Sequence, residues 1–405
     1  MKYVILVPDG MAGLPVEELG DRTCMEAAVT RNMDMIAKKG IVGMVRNVPK
    51  GMTPASDVAN LSILGYDPLK YYCGRGPLEA ANLKVELTER DVAFRFNTVT
   101  VCDDRMADYS AGHISTREAA VLVELLNREL GNEKFRFYAG TSYRNLLVVT
   151  CDSPEKADRL ASVTCHPPHD ILDQPVARYL PAETGLVDIM KGSKKILEDC
   201  DINKVRIDLG QNPANMIWVW GQGMKPDIPR FRDAFGKNGG IVSAVDLIKG
   251  LGRILGLEVA DVPGATGYYD TNYEGKADAA LEILKRKDLA FVHVEAPDEA
   301  GHNGDILAKI TAIENFDTKI TGRIIEQLSG KCDYRVLILP DHPTPISKRT
   351  HTADPVPFAM AGKGVEPDEV TLFTERSAKA GSVYLKNGYE LMKFFLGDSG
   401  AGAGG

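Results

Sequence analysis

Short apolar segments that end in aspartate or histidine alternate with amphipathic helical segments, and this pattern constrains the fold more than any other feature of the chain. Strands that alternate with helices indicate a mainly parallel α/β sheet flanked by helices. The first strand is apolar and β-branched throughout, as expected of a strand covered on both faces. The predicted segments are strands Tyr3–Val7, Ile41–Val48, Leu289–Val294 and Tyr334–Leu339, and helices Asn32–Lys39, Ala277–Lys287 and Asp305–Leu328.

The middle of the chain has a different pattern and predicts an inserted α+β domain. Its predicted strands are shorter and more polar, and its one clear helix begins with a capping box in which Ser115 and Glu118 satisfy free backbone N–H groups. The predicted elements are strands Val92–Phe96, Phe135–Tyr138 and Leu146–Thr150 and helix Thr116–Leu130. We therefore predict a discontinuous α/β domain over residues 1–72 and 229–397, an inserted domain over 73–228, and a disordered glycine-rich tail over 398–405.

Charge and composition exclude several classes of protein. The 48 basic and 56 acidic residues give a net charge of −8, which argues against a nucleic-acid surface. No apolar run approaches the roughly 18 residues that a membrane-spanning helix needs, and the apolar start is too short for a signal peptide. The seven cysteines are scattered, without a C-x-x-C pair, so structural zinc and disulfides are both poor interpretations. A reduced, cytoplasmic protein is expected.

Carboxylate and imidazole groups follow three of the predicted strands. In an open α/β sheet these groups meet at the carboxyl edge, where ligands bind. Mixed oxygen and nitrogen ligands suit zinc, manganese or iron, and magnesium where oxygen predominates. One tetrahedral ion needs fewer ligands than are present, so we predict a pair of ions about 3.5–4 Å apart, as in phosphoryl transfer. The candidate ligands are Asp9, Asp298, His302, Asp341, His342 and His351.

Each of these residues also has an ordinary structural interpretation. Asp9 alone could be a turn or helix-capping residue. Asp298 and His302, four residues apart, could be a simple helical pair. Three of the seven histidines lie beside carboxylates just after predicted strands, however, and this grouping favours the metal site.

Ser56 is the candidate nucleophile. It precedes a predicted helix over Asp57–Leu64, where a serine usually acts as the N-cap. The functional alternative is attack on phosphorus at the helix N-terminus, whose N–H groups attract an anion, with a metal ion lowering the pKa of the hydroxyl. The chain has no G-x-S-x-G elbow, which disfavours an acyl-transfer hydrolase.

Together these motifs resemble those of the alkaline phosphatase superfamily, and more closely the shorter, archaeal-type cofactor-independent phosphoglycerate mutases. The resemblance spans nearly the whole chain. Further matching segments are Leu64–Pro68, Tyr71–Ala80, Ser243–Gly250 and His351–Pro357.

The resemblance implies a fold, a ligand set and a reaction. One ion would be held by Asp298, His302 and His351, and the other by four residues: Asp9, Ser56, Asp341 and His342. Manganese is the ion associated with such sites, with magnesium or zinc as alternatives, and no bisphosphoglycerate is needed. Ser56 would take the phosphoryl group from 3-phosphoglycerate and return it to the 2-hydroxyl. The inserted domain would close over this small phosphorylated substrate and keep water from the phosphoserine.

A substrate with a carboxylate and a phosphate calls for cationic groups in the cleft. The candidates are Arg75, Arg144 and Lys237, with His113 as a proton donor. Arg75 is the best of them, because it lies between two glycines that allow close approach of the backbone to a ligand. The ordinary interpretation for each is a solvated surface residue.

Two segments depart from the archaeal mutase pattern and leave other functions open. These segments are Ser110–His113 and Asp57–Asn60, and a bacterial branch with similar segments has been proposed to contain homoserine kinases. A homoserine kinase is therefore the alternative function, a phosphatase or phosphodiesterase is the third, and a binding protein with a structural metal is the non-enzyme hypothesis. The sequence makes no prediction of oligomeric state.

Overall fold

Strands and helices alternate along residues 1–397, the part of the chain that this computed structural model describes. The predicted disordered tail, residues 398–405, lies outside the described residues. The strands are β1 (Lys2–Pro8), β2 (Gly40–Val45), β3 (Asp91–Cys102), β4 (Arg105–Asp108), β5 (Phe135–Thr141), β6 (Arg144–Thr150), β7 (Met216–Met224), β8 (Gly239–Val242), β9 (Glu258–Val259), β10 (Leu289–Val294), β11 (Tyr334–Ile338), β12 (Val356–Gly362) and β13 (Val383–Leu385).

Helices connect most of these strands. They are α1 (Cys24–Ala27), α2 (Arg31–Lys38), α3 (Ser56–Ile63), α4 (Pro68–Tyr71), α5 (Arg75–Asn82), α6 (Thr116–Glu129), α7 (Pro154–Ala161), α8 (Thr184–Leu197), α9 (Asp201–Asp208), α10 (Phe231–Phe235), α11 (Asp246–Ile254), α12 (Tyr273–Arg286), α13 (Ala296–Asn303), α14 (Ile306–Asn315), α15 (Arg323–Leu328), α16 (Glu375–Ala378) and α17 (Glu390–Leu396). The long helix predicted after Asp305 is α14 and α15 joined by the π-helical segment Phe316–Gly322. The predicted capping box at the start of α6 is present, with Ser115 and Glu118 as its two members.

The chain divides into two compact units. The first consists of Met1–Tyr72 and the segment that begins at Ile228, and the second, here called the inserted unit, is Cys73–Asp227.

The first unit is built on a sheet of eight strands among the described residues, in the order β13-β2-β12-β11-β1-β10-β8-β9. β1 is central and pairs in parallel with β10 and β11, whereas β12 is antiparallel to its neighbours β11 and β2. Side chains of a strand point alternately to the two faces of the sheet, and β1 and β10 are buried at nearly every position, so both faces are covered. The predicted mainly parallel α/β class is confirmed.

The parallel alignment of β1, β10 and β11 determines where their following residues lie. Pro8 at the end of β1 is in register with Val294 at the end of β10, and Leu6 with Ile338 at the end of β11. The three loops that carry the candidate metal ligands therefore begin at one edge of the sheet.

The inserted unit contains an antiparallel sheet centred on β3. This strand pairs with β6 and β7 along its sides and with β4 near its end, while β5 and β6 form a hairpin. The apolar sides of α6 and α8 pack into the same core as β3 and β7, with Trp218, Phe94 and Phe96 fully buried. This unit is α+β, in contrast to the mainly parallel first unit.

Candidate active site

The loops after β1 and β11 approach each other so closely that only glycine fits between them. The backbone N–H of Gly10 donates a hydrogen bond to Oδ1 of Asp341, 3.1 Å away. Gly10 has φ of +62°, and a Cβ built there would lie 2.4 Å from Oδ1 of Asp298 and 2.6 Å from Oγ1 of Thr344. Asp9, which precedes this glycine, is completely buried.

Helix α13 places Asp298 and His302 on one face, because residues four apart are neighbours on a helix. Nε2 of His302 lies 3.2 Å from Oδ2 of Asp298. His351 arrives from the loop before β12, with its Nε2 3.4 Å from Oδ1 of Asp298 and 2.9 Å from Nε2 of His302. The other ring nitrogens of the two histidines lie beside the backbone carbonyls of Arg349 and Pro54, which orients both Nε2 atoms toward Asp298.

A second group surrounds His342, which is fully buried. Its Nε2 lies 3.5 Å from Oδ1 of Asp9, 3.5 Å from Oδ2 of Asp341 and 3.2 Å from Oγ of Ser56. Asn60 completes this arrangement by donating to Oδ2 of Asp341 at 2.9 Å. The structure thus brings the candidate ligands of the first unit together at one edge of the sheet.

Ser56 does not cap its own helix. It is the first residue of α3, the N-cap is Ala55, and the side chain that accepts from a first-turn N–H, that of Val58, belongs to Asp57. The hydroxyl oxygen of Ser56 instead faces His342, and the ordinary interpretation of this serine as an N-cap is wrong.

His293 is a site residue that the sequence analysis did not identify. It lies on β10 with no exposed surface, its Nε2 is 3.0 Å from Oδ2 of Asp9, and its Nδ1 is 3.3 Å from Oγ of Ser243. The signal was a single polar residue in the apolar strand Leu289–Val294. Glu295, just beyond this strand, adds a carboxylate beside Asp9 and was also overlooked.

Burial and mutual repulsion control the ionisation of the carboxylates. Burial, together with the negative charges of Asp341 and Asp298, raises the pKa of Asp9 well above its usual value. For Asp298, burial opposes ionisation, but hydrogen bonds from His302 and His351 prevail and hold its pKa well below the usual value. A cation placed among these groups would relieve the repulsion between them.

The side chains also fit a divalent cation by their donor atoms. Three sets of ligand atoms each lie within 4.8 Å of one another: Asp298, His342 and His351; Asp9, His293 and Asp341; and Asp9, Glu295 and Asp298. Neither carboxylate oxygen of Asp9 makes a hydrogen bond of regular geometry, although Nε2 of His293 lies 3.0 Å from Oδ2. Buried polar atoms without regular hydrogen bonds destabilise the folded state. This cluster of carboxylate oxygens and imidazole nitrogens therefore indicates a divalent-metal site.

In the inserted unit, the predicted cations Arg75 and Arg144 lie against aromatic side chains. The guanidinium carbon of Arg75 is 5.1 Å from the ring centre of Trp220, and that of Arg144 is 4.7 Å from the ring centre of Tyr143. His113 also contacts Tyr143, with 6.1 Å between ring centres.

Arg95 belongs to the same group and was not predicted. Its guanidinium carbon is 5.1 Å from the ring centre of Trp220, and its side chain is buried 3.5 Å from Oε1 of Glu79. Burial, with the positive charges of Arg144 and Arg75, lowers the pKa of Arg95 to about 10 despite the opposing charge of Glu79. The signal was an arginine among the apolar residues of β3.

His113 is held in an unusual backbone conformation. Ala111, Gly112 and His113 all have positive φ angles, of 48°, 64° and 51°. The carboxylate of Asp108 accepts hydrogen bonds from the backbone N–H of Gly112, and Arg206 donates to the carbonyl of Ala111 at 2.7 Å. Backbone strain of this kind persists where the surroundings impose it, often at functional sites.

Lys237 is the one predicted cation of the first unit, and the structure does not bring it to the edge where Asp9 lies. It precedes β8, and its ammonium group lies 5.9 Å from the ring centre of Tyr3 near the start of β1. Parallel strands begin at one edge of a sheet and end at the other, so Lys237 lies at the opposite edge from the candidate metal ligands.

Among the described residues, 1–397, no helix combines the length and the apolar character of a membrane-spanning segment.

Both the sequence and the fold of this chain are similar to those of known proteins. Residues 37–203 match a family model described as 2,3-bisphosphoglycerate-independent phosphoglycerate mutase. A protein of that name from Methanothrix thermoacetophila is 51% identical over 401 residues, which cover 98% of this chain and 100% of the relative.

Two solved structures are similar over their full length. The PH0037 protein of Pyrococcus horikoshii superposes with a TM-score of 0.83 at 30% identity, covering 100% of this chain and 99% of that one. The cofactor-independent phosphoglycerate mutase of Thermoplasma acidophilum gives a TM-score of 0.66 at 28% identity, covering 99% and 100%.

Proposed function

The chain belongs to the family of 2,3-bisphosphoglycerate-independent phosphoglycerate mutases, and on that premise we propose that it interconverts 3-phosphoglycerate and 2-phosphoglycerate through a phosphoserine at Ser56. The observation that carries the proposal is the position of the Ser56 hydroxyl. It lies 3.2 Å from Nε2 of His342, which is itself within 3.5 Å of the carboxylates of Asp9 and Asp341. A serine that only capped α3 would hydrogen-bond to its own helix.

We propose that the site binds two divalent ions. Manganese is the preferred ion, and magnesium and zinc are the alternatives. Asp298, His302 and His351 would hold one ion; Asp9, Ser56, Asp341 and His342 would hold the other. Such ions act as Lewis acids that lower the pKa of a bound hydroxyl and offset charge on phosphoryl oxygens. The buried carboxylate of Asp9, which makes no hydrogen bond of regular geometry, supports this assignment.

The proposed reaction consists of two mirrored transfers. In the first, Oγ of Ser56 loses its proton and bonds to phosphorus, the bond from phosphorus to the 3-oxygen breaks, and that oxygen takes up a proton. In the second, the 2-hydroxyl loses its proton and attacks the phosphoserine, and Oγ of Ser56 is released and protonated again. The sum is an isomerisation that consumes neither water nor a nucleotide.

Four side chains of the inserted unit are proposed to hold the substrate. Arg75, Arg95 and Arg144 supply planar donors that match carboxylate and phosphate oxygens. His113 is proposed as the proton donor to the leaving oxygen, and the imposed backbone conformation around it supports a defined ring position. The proposal also requires water to be excluded during the transfer, because water would hydrolyse the phosphoserine.

A cytoplasmic location is also proposed, because a substrate with a carboxylate and a phosphate does not cross a lipid bilayer unaided.

A side-by-side assay distinguishes this function from the alternatives. Protein loaded with manganese should convert 3-phosphoglycerate to 2-phosphoglycerate without bisphosphoglycerate. Consumption of ATP only when homoserine is present would establish the kinase instead, and phosphate release from a generic ester would establish a phosphatase. Ser56→Ala should abolish the conversion, while Ser62→Ala, the same change on the same helix, should retain it.

A further inference from the structure

Lys309 is a buried lysine whose ammonium group joins two loops of the candidate metal centre. It lies on α14 with 1% of its surface exposed. Its Nζ donates one hydrogen bond to the backbone carbonyl of Gly10, at 2.7 Å, and one to the backbone carbonyl of Thr344, at 2.6 Å.

The two carbonyls belong to the loops that carry the ligands. Gly10 directly follows Asp9 at the end of β1, and Thr344 lies two residues after His342. The hydroxyl of Thr344 in turn donates to Oδ1 of Asp298. One ammonium group therefore joins the loop that carries Asp9 to the loop that carries His342, and the side chain of Thr344 links the second loop to Asp298.

General stability does not explain a lysine at this position. Burying an ammonium group is costly, and an apolar side chain of similar volume often stabilises a core as well or better. Burial lowers the pKa of Lys309, while the nearby carboxylates of Asp298, Glu375 and Asp9 favour its protonated form. Burial of Lys309 therefore costs desolvation free energy, at a point where its hydrogen bonds determine the relative position of the loops after β1 and β11.

We propose that Lys309 is a positioning residue of the metal centre, which fixes the loops after β1 and β11 so that Asp9, His342 and Asp298 are already arranged to receive the metal ions. This inference rests on the proposed function, because it concerns the metal centre on which that function depends. Residues that orient metal ligands typically change metal affinity by roughly 10- to 100-fold when replaced.

The direction in which metal affinity changes when Lys309 is replaced distinguishes a positioning role from a role through charge alone. If Lys309 acted only through its charge, its removal would strengthen the binding of a divalent cation, because like charges repel. If it holds the two loops, its removal weakens binding, because the ligands must then be ordered when the ion binds. Lys309→Met tests this difference, since methionine retains most of the buried volume without charge or donors.

The experiment is a calorimetric titration of the metal-free proteins with manganese chloride. Lys309→Met should bind manganese at least about tenfold more weakly than the unchanged protein. At saturating manganese its kcat for 3-phosphoglycerate should fall more than its KM changes. The matched control is Lys2→Met: Lys2 lies at the other end of β1 and also donates to a backbone carbonyl, that of Lys287 at 2.9 Å. This control should bind manganese as the unchanged protein does.

The outcomes separate this inference from the proposed function. Equal or tighter manganese binding by Lys309→Met would overturn the positioning role while leaving the metal centre intact. Failure of the unchanged protein to bind manganese would instead overturn the proposed function. If Lys309→Met does not fold, the same titration is made on Lys309→Gln, which keeps one amide donor and should show a smaller loss in the same direction.

Discussion

Oγ of Ser56 and Nε2 of His342 lie 3.2 Å apart, although 286 positions separate the two residues in the sequence. One is the first residue of α3, and the other is in the loop after β11. Their proximity depends on the parallel pairing of β1 with β11 and on the packing of α3 at the carboxyl edge of the sheet. The predictions below concern the groups that create or use this relationship.

Gly10→Ala should severely destabilise the first unit and abolish activity. The left-handed conformation alone costs an alanine roughly 1–2 kcal/mol. In addition, the new Cβ would lie 2.4 Å from Oδ1 of Asp298 and displace it. The control is Gly20→Ala, where φ is +65° but no atom lies within 4 Å of the new Cβ. Chemical denaturation should show a much larger loss in the free energy of unfolding for Gly10→Ala than for Gly20→Ala. Equal losses would show that the loops after β1 and β11 do not require this close approach.

Removal of metal should lower the melting temperature, because Asp9, Asp298 and Asp341 then remain buried together without a cation. Manganese at about 1,000 times its Kd should add about 4 kcal/mol to the free energy of unfolding. Calorimetry with and without manganese measures the shift. Asp298→Asn should reduce the shift, whereas Asp278→Asn, which removes a surface partner of Arg323, should not. A melting temperature that manganese leaves unchanged in the unaltered protein would rule out the ion.

The metal-free protein should lose stability as the pH rises through the range set by His302. Burial lowers the pKa of this imidazole, but its hydrogen bond and ion pair with Asp298 prevail and raise the pKa to about 9. An unfolded histidine has a pKa of about 6.5, so the folded state binds the proton more tightly. The contribution to stability is therefore complete below about pH 6.5 and is lost as the pH rises through about 9.

Melting curves of chelator-treated protein across this pH range measure the effect. His302→Gln should lack the decline between about pH 6.5 and 9, because it removes the titrating group. A decline of the same size in the variant would assign the pH dependence to another residue.

Arg144→Ala should raise the KM for 3-phosphoglycerate by about tenfold or more, as expected for the loss of a charge-assisted contact of about 1.5–3 kcal/mol. Arg144 is exposed at the start of β6, so its replacement should leave the fold intact. Arg128→Ala, at an exposed position on α6 of the same unit, is the control and should leave the KM unchanged. Similar KM values for the two variants would remove Arg144 from the proposed substrate site.

The candidate metal ligands could be located from the sequence because they follow apolar strands. β1 and β10 are buried at nearly every position and β11 in its second half, so their sequences are mainly apolar, and Asp9, Asp298 and Asp341 follow them at short intervals. The rule that ligands bind beyond the carboxyl ends of parallel strands then places these residues at one edge.

Other features depend on tertiary contacts that a local pattern does not contain. β7 was not predicted, since Gly221 and Gly223 interrupt its apolar run, yet a Cβ at Gly223 would collide with the carbonyl oxygen of Cys73. His293 and Arg95 were overlooked because single polar residues within apolar strands show no partner in the sequence. Lys237 was selected for its charge alone, and β8, the strand that it precedes, was not predicted.

The most direct test of the account is a rapid acid quench of manganese-loaded protein during turnover of 3-phosphoglycerate, followed by peptide mass spectrometry. The account predicts one added phosphoryl group on the peptide that contains Ser56, and its absence from the same peptide of Ser56→Ala. Conversion of 3-phosphoglycerate by Ser56→Ala at the rate of the unaltered protein, or phosphorylation at a different residue during turnover, would contradict it.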